Sequence, residues 1–229
     1  MREKIDPLPV PPNPTPDYFV SAYYLPSHSE PVYGDVVYNG KKIECAKIEI
    51  GSNEYALCDA SSYHRGCSKK KGVFGRGLIN DEKDPFHVER CGNLGEMAFG
   101  KLFGLPVDFT FRQRGDNGDF SMGKYSVNVK TATYNYWTGL VRVYKSQADK
   151  DADVRIALDA DLFVFGWLGT ESRDKKNSIV YLAGYHKKEY IFDKCDIKPA
   201  RKGREHFNYE VPFVGLSPIR QLLEKWRNK

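Results

Sequence analysis

Apolar side chains recur along this chain with two different periods. From Phe86 to Phe103 they fall at steps of three and four, at Val88, Cys91, Gly95, Phe99 and Leu102, which is the stripe of a helix with 3.6 residues per turn. Asp84 and Pro85 stand where a cap and a first-turn proline belong, and Gly92 and Gly95 predict a close approach of this helix to a sheet. Glu89, Asn93 and Glu96, at i, i+4 and i+7, form a polar edge beside the stripe. Over Tyr125–Thr131 the period changes to two. Val127, Val129 and Thr131 then point to a core, while Asn128 and Lys130 share the polar face. Met122-Gly123-Lys124 reads as the turn of a hairpin, which leaves Asp119, at the end of the preceding strand, able to reach that polar face. Near the end of the chain Ile219, Leu222, Leu223 and Trp226 make one apolar face of a short helix, with Ser217-Pro218 as its cap and first turn.

The first third of the chain has another texture. Residues 7–16 hold six prolines in ten positions, which dictates an extended arm. Short β-like runs follow at Tyr18–Tyr24, Val32–Tyr38, Lys42–Ile50 and Tyr55–Cys58, separated by turns such as Asn39-Gly40 and Gly51-Ser52-Asn53. Residues 59–85 read as a loop. The expected organisation is a proline-rich arm over 1–17, a β-rich extension with a basic loop over 18–85, and the main α/β core over 86–229. With 229 residues, 41% of them hydrophobic, the chain can bury one sizeable core. The longest apolar run, around Leu162–Leu168, is too short to span a bilayer, and the start MREKIDPLPV has no apolar secretion core. An intracellular, cytoplasmic protein is expected. Cys45, Cys58, Cys67, Cys91 and Cys195 form an odd set without a disulfide framework, which fits mostly free thiols.

An aspartate at a strand end and a lysine eleven residues later on the next strand have a chemical reading. Phosphodiester hydrolysis uses a divalent cation held by hard oxygen ligands, and a lysine beside it stabilises charge on the phosphoryl group or orients water. In this arrangement the chain resembles the PD-(D/E)XK nuclease superfamily over about residues 86–226. Asp119 matches the motif's aspartate, Lys130 its lysine, and Glu96, in GNLGEMAFGKLFG, its helical glutamate. Asp161–Trp167 and Ile179–Tyr185 look like its later strands, and Asn208–Pro212 with Leu216–Leu223 its closing strand and helix.

The resemblance implies a restriction-endonuclease-like α/β fold, a mixed sheet flanked by helices, here with the N-terminal β-rich extension. It also implies a Mg²⁺- or Mn²⁺-dependent endonuclease acting on DNA. Asp119 and Glu96 would be metal ligands together with the backbone carbonyl of Val129, Asn128 a neutral ligand or water positioner, and Lys130 the group that stabilises the transition state. One position departs from the motif. Asn128 stands where the family has Asp or Glu, and its amide oxygen can ligate a cation but brings no charge. Either Glu96, Glu89 or Asp116 supplies that charge, or the domain binds nucleic acid or a protein partner without cutting.

A net charge of +5 and a pI near 8.8 are mild, so it is the distribution that points to a polyanion. His64–Arg76 holds five Lys or Arg and three glycines, a cationic loop suited to phosphate contacts. The second cluster is Lys198–His206. Lys69, Lys70, Lys71, Arg76, Arg201, Lys202 and Arg204 are the expected DNA contacts. Tyr134, Tyr136, Trp137 and Tyr144 can stack on bases, but packing is the simpler use for them. Cys58, His64 and Cys67, with Cys45 upstream, are the chemistry of a zinc site without the spacing of a common one. The oligomeric state stays open, a homodimer included. A stand-alone nuclease of this kind would suit a phage, a mobile element, or a restriction or repair role.

Overall fold

A computed structural model describes residues 23–38, 40–70, 86–109, 118–133, 138–144, 160–169, 178–199 and 206–228. In chain order the elements are strands β1 (Tyr23–Tyr24), β2 (Val32–Tyr38) and β3 (Lys41–Ile50), helices α1 (Ser52–Lys70) and α2 (His87–Phe103), and strands β4 (Val107–Asp108), β5 (Phe120–Met122), β6 (Tyr125–Ala132), β7 (Thr138–Tyr144), β8 (Leu162–Leu168) and β9 (Ser178–Lys187). Helix α3 (Lys188–Lys194), strands β10 (Asp196–Pro199), β11 (His206–Pro212) and β12 (Ser217–Pro218), and helix α4 (Ile219–Arg227) complete them.

The main sheet has seven strands in the order β2-β3-β9-β8-β6-β5, with β12 also paired to β9. Only β6 and β8 run parallel; the other pairs are antiparallel, so the sheet is mixed. Every residue of β8 is buried, which explains why Leu162–Leu168 reads as a continuous apolar run rather than an alternating one. Alternation along its neighbours sorts two cores. Ala46, Ile48 and Ile50 of β3, Val127 and Val129 of β6 and Leu182 of β9 pack with Leu94, Phe99 and Leu102 of α2 and Ile219 and Leu222 of α4. Each fully buried Val, Leu, Ile or Phe among them contributes about 1.5–3 kcal/mol. On the other face, Phe163, Phe165 and Trp167 of β8 meet Val141, Val143, Tyr209 and Val211, from a three-stranded antiparallel sheet in the order β10-β11-β7.

The N-terminal strands extend the main sheet, because β3 pairs with β9 and β2 pairs with β3. Tyr55–Cys58, expected as a strand, and residues 59–70, expected as a loop, lie instead in α1. Gly51 is the residue before that helix, and its N–H donates to Glu54 Oε2 at 2.9 Å, the reach-back of a capping box. Glu54, Cys58 and Ser62, at steps of four, are the buried face. Glu54 also pairs with Lys101 of α2 at 2.7 Å, with both side chains about nine-tenths buried.

Helix α2 follows its predicted span, with two differences. Val88 is 50% exposed. Asn93 is fully buried, because it faces α1, where its amide donates to the Cys58 carbonyl at 3.2 Å and the Ser62 hydroxyl at 2.9 Å. Phe86 precedes the helix without a side-chain cap; Asp84 and Pro85 lie outside the described residues. Gly95 is where the helix meets β6, since a Cβ there would stand 1.6 Å from Thr131 Oγ1. Gly92 has nothing within 4 Å and makes no such approach. Helix α4 buries Ile219, Leu222 and Leu223 as its pattern requires, and Pro218 is its N-cap residue, without a side-chain cap; Ser217-Pro218 also forms a short strand paired with Tyr185 and Gly184. Strand β11 holds the expected closing strand, but on the second sheet.

Candidate active site

The outer strand β5 is short, and its brevity makes the site. Phe120 and Met122 are buried with Ser121 exposed between them, and the Phe120 ring lies 4.8 Å from that of Phe99. Gly123, at φ 63°, and Lys124 form the predicted turn. Because β5 pairs only with Tyr125–Val127, the edge of β6 from Asn128 to Ala132 has no further strand beside it among the described residues. Asp119 occupies the start of that open edge. Its N–H donates to the Val127 carbonyl at 2.7 Å, and its Oδ2 accepts the Val129 N–H at 2.6 Å, a short, charge-assisted bond. In a strand the N–H and C=O of one residue point to the same edge, so the Val129 carbonyl faces this edge too.

Asn128 and Lys130 flank Val129 and point away from α2, in register with Phe163 and Phe165 of β8. Asn128 is 4% exposed. Lys130 is half-buried, with its stem beside the second core, and among the described residues no ion pair holds its ammonium. Glu96 is half-buried on α2, which packs on the Val127–Val129 face. The carboxylate of Asp119 is therefore at the strand edge, with Lys130 on one face of the sheet and Glu96 on the helix side. Glu89, also half-buried, stands two turns before Glu96 on that helix, and Asp116 lies outside the described residues. The oxygens available are hard: the Asp119 carboxylate and the Val129 carbonyl at the edge, the buried Asn128 amide oxygen on the sheet face away from α2, and the Glu96 carboxylate on the adjoining helix. That set suits Mg²⁺ or Mn²⁺ better than a soft ion.

The zinc alternative fares differently. Cys58 packs in the helix-side core and its thiol donates to the Asn93 carbonyl at 3.5 Å, whereas Cys45 packs in the core on the opposite face of the sheet. The two sulfurs cannot share an ion. Burial pushes the Cys45 thiol pKa up to about 12. His64 and Cys67 lie in α1. Among the described residues no three His, Cys, Asp or Glu side chains gather as a metal group. Cys45, Cys58, Cys91 and Cys195 are free thiols.

Of the expected DNA contacts, Lys69 and Lys70 end helix α1 instead of lying in a loop. Lys71, Arg76, Arg201, Lys202 and Arg204 fall outside the described residues, as do Tyr134, Tyr136 and Trp137.

Two charged or titratable features beside the site escaped the sequence reading. Asp161 accepts from the Ser126 N–H at 3.0 Å, the Ser126 hydroxyl at 2.9 Å and Lys188 Nζ at 3.0 Å, tying the start of β6 to β8 and α3. The Ser126 backbone N–H, with Lys188 adding to it, holds its carboxyl below the usual carboxylate range. His186 lies in register with Phe163, which is itself in register with Asn128, and its ring stacks on Tyr190 at 3.9 Å. Burial pushes that imidazole pKa down. Asp161 has no local sequence pattern that would betray it, because Ser126 is 35 residues away, whereas His186 and Tyr190 are only four residues apart.

The fold and site together define a mixed α/β protein that offers a carboxylate and a backbone carbonyl at one open strand edge, with a lysine on the adjoining face of the sheet. The chain matches no protein-family model, no curated protein and no solved structure, so its function is argued from that edge. No helix of the described residues is long and apolar enough to cross a membrane.

Proposed function

We propose that this protein is a divalent-metal-dependent endonuclease that hydrolyses phosphodiester bonds in DNA, on a restriction-endonuclease-like fold of the PD-(D/E)XK kind. The observation that carries the reading is the Asp119 carboxylate fixed on the Val129 N–H at the open edge of β6, between the side chains of Asn128 and Lys130. Asp119, the Val129 carbonyl and the Asn128 amide oxygen would hold Mg²⁺ or Mn²⁺, with Glu96 supplying the second negative charge directly or through water. When bound, the ion polarises a phosphoryl oxygen and lowers the pKa of an attacking water. The chain's own groups do the rest. Asp119 is held by the backbone and costs no reorganisation on substrate arrival. Lys130, half-buried on the adjoining face of the sheet, stabilises the negative charge that grows on the phosphoryl oxygens. Asn128, shielded from solvent, fixes a donor and an acceptor for water or phosphate. Lys69, Lys70 and Lys71, with Arg76, Arg201, Lys202 and Arg204, would contact the DNA backbone and set affinity rather than rate.

Asn128 also favours a second reading, a domain of the same build that binds nucleic acid or a protein without cutting. A cleavage assay on duplex, single-stranded and branched DNA and on RNA, with Mg²⁺, Mn²⁺ and EDTA, separates the two. Lys130→Ala and Asp119→Ala should each lower the rate by about two to four orders of magnitude. Wild-type rates for Lys130→Ala would refute the mechanism, and a wild-type protein that binds no divalent ion and cuts nothing on the panel would leave the binding reading in its place. Titration of Mn²⁺ into Asn128→Asp should show tighter binding than wild type, because a third carboxylate joins the site.

A further inference from the structure

The residue before the candidate ligand is built for one purpose. Gly118 adopts φ 115°, a conformation that residues with a Cβ rarely reach. A Cβ at this position would stand 3.0 Å from the Val127 carbonyl oxygen and 3.3 Å from both the Val127 nitrogen and Ser126 Cβ. These neighbours are mostly backbone of β6, held by β5 on one side and β8 on the other, so they have little room to yield. One residue later the chain spends that closeness on two bonds, Asp119 N–H to the Val127 carbonyl at 2.7 Å and the Val129 N–H to Asp119 Oδ2 at 2.6 Å.

We propose that Gly118 is a positioning residue: its left-handed backbone and missing side chain let the chain press against β6, and that contact sets the Asp119 carboxylate on the Val129 N–H at the reactive edge. A side chain at 118 would push the segment outward and turn the carboxylate off Val129, although it touches neither ligand nor substrate. The role in catalysis rests on the reading of Asp119 as the principal metal ligand; the role in placing the carboxylate does not.

The test compares Gly118→Ala with Asp119→Ala and wild type, using amide hydrogen exchange at Val129, Mn²⁺ titration and cleavage kinetics. Asp119→Ala removes the acceptor alone and calibrates the loss. Gly118→Ala should reproduce that loss at Val129, with exchange at least about tenfold faster, while the amides of β8 keep their protection. Mn²⁺ affinity should fall with it, and kcat should drop by about a hundredfold, the scale of a misplacement near 1 Å, with KM for DNA unchanged. Gly118→Asn, whose side chain tolerates positive φ better than alanine, should lie between the two and serves the same comparison if Gly118→Ala does not fold. Wild-type exchange at Val129 in either Gly118 variant overturns the proposal, as does wild-type Mn²⁺ affinity in Gly118→Ala when Asp119→Ala has lost it. Should Asp119→Ala change neither Mn²⁺ binding nor cleavage, the nuclease reading fails, and exchange at Val129 still decides whether Gly118 places the carboxylate.

Discussion

The Glu54–Lys101 pair allows a quantitative test of how α2 is docked. Its atoms are 2.7 Å apart, and the side chains of Lys101 and Glu54 are 10% and 8% exposed. Glu54 also accepts the Gly51 N–H, and the Lys101 carbonyl takes a hydrogen bond with His28 Nδ1 at 3.1 Å. Taking both charges out of water costs several kcal/mol per ion, repaid only while each has its partner. Lys101→Met should therefore destabilise the fold by about 3–5 kcal/mol, because it strands a buried carboxylate, and Glu54→Leu should do as much by stranding the ammonium and removing the cap. The double variant should lose far less than the sum. With no unpaired charge left, only the cap is missing, and its cost is about 1–2 kcal/mol. Urea unfolding of the four proteins closes the cycle, with a coupling of several kcal/mol expected. Additive losses would refute the argument, since they would mean that each group was solvated independently. A double variant as stable as wild type would show that the pair contributes specificity of docking and no net stability.

Other perturbations have equally direct readouts. Gly95→Ala should destabilise by about 1–3 kcal/mol despite alanine's better helix propensity, because the new Cβ meets Thr131; thermal unfolding would show it, and Thr131→Gly in the same chain should recover most of the loss. Asp161→Asn should cost about 1–2 kcal/mol, a figure discounted for a side chain 35% exposed. Since the folded carboxyl pKa is depressed, that contribution is present above the unfolded value of about 3.9 and is lost as pH falls through the folded one. The gap between wild type and Asp161→Asn in urea midpoints should shrink accordingly. His186 also has a depressed folded pKa, and below about 6.5 the unfolded chain binds the extra proton. Wild type should thus weaken as pH falls from there, and His186→Phe should flatten that limb of the stability profile.

What could be read from the sequence divides along contact range. The hairpin of β5 and β6, the stripe of α2 and the apolar face of α4 are written in local periods, and each stands close to where those periods place it. Tyr55–Cys58 failed because Gly51-Ser52-Asn53 passes for a turn; the signal that would have corrected it was Glu54, Cys58 and Ser62 at steps of four with an acid three residues after a glycine. Asn93 looked like part of a solvent edge because no local pattern announces Ser62 and Cys58 as its partners, 31 and 35 residues away. Strand β11 could be recognised as a strand, but its place beside β7 depends on a pairing of Asn208 with Arg142 that no window of sequence contains.

The candidate site straddles that division, and the consequence is physical. Asp119 and Val129 are ten residues apart, within one hairpin whose turn, alternation and leading glycine all lie between Gly118 and Lys130. Loop closure over so few residues is cheap, so this half of the site is encoded where it is used. Glu96 reaches its place by another route, through the contact of Gly95 with Thr131 and the docking of α2 on α1 by Asn93 and Lys101. A change that loosens α1 from α2 should therefore displace Glu96 while the Asp119–Val129 bond survives. In Lys101→Met, amide exchange at Val129 relative to β8 should stay as in wild type while Mn²⁺ affinity falls. Matched losses at both would mean that the hairpin needs the helix to hold its own geometry, and the separation of the site into a local and a docked half would be wrong.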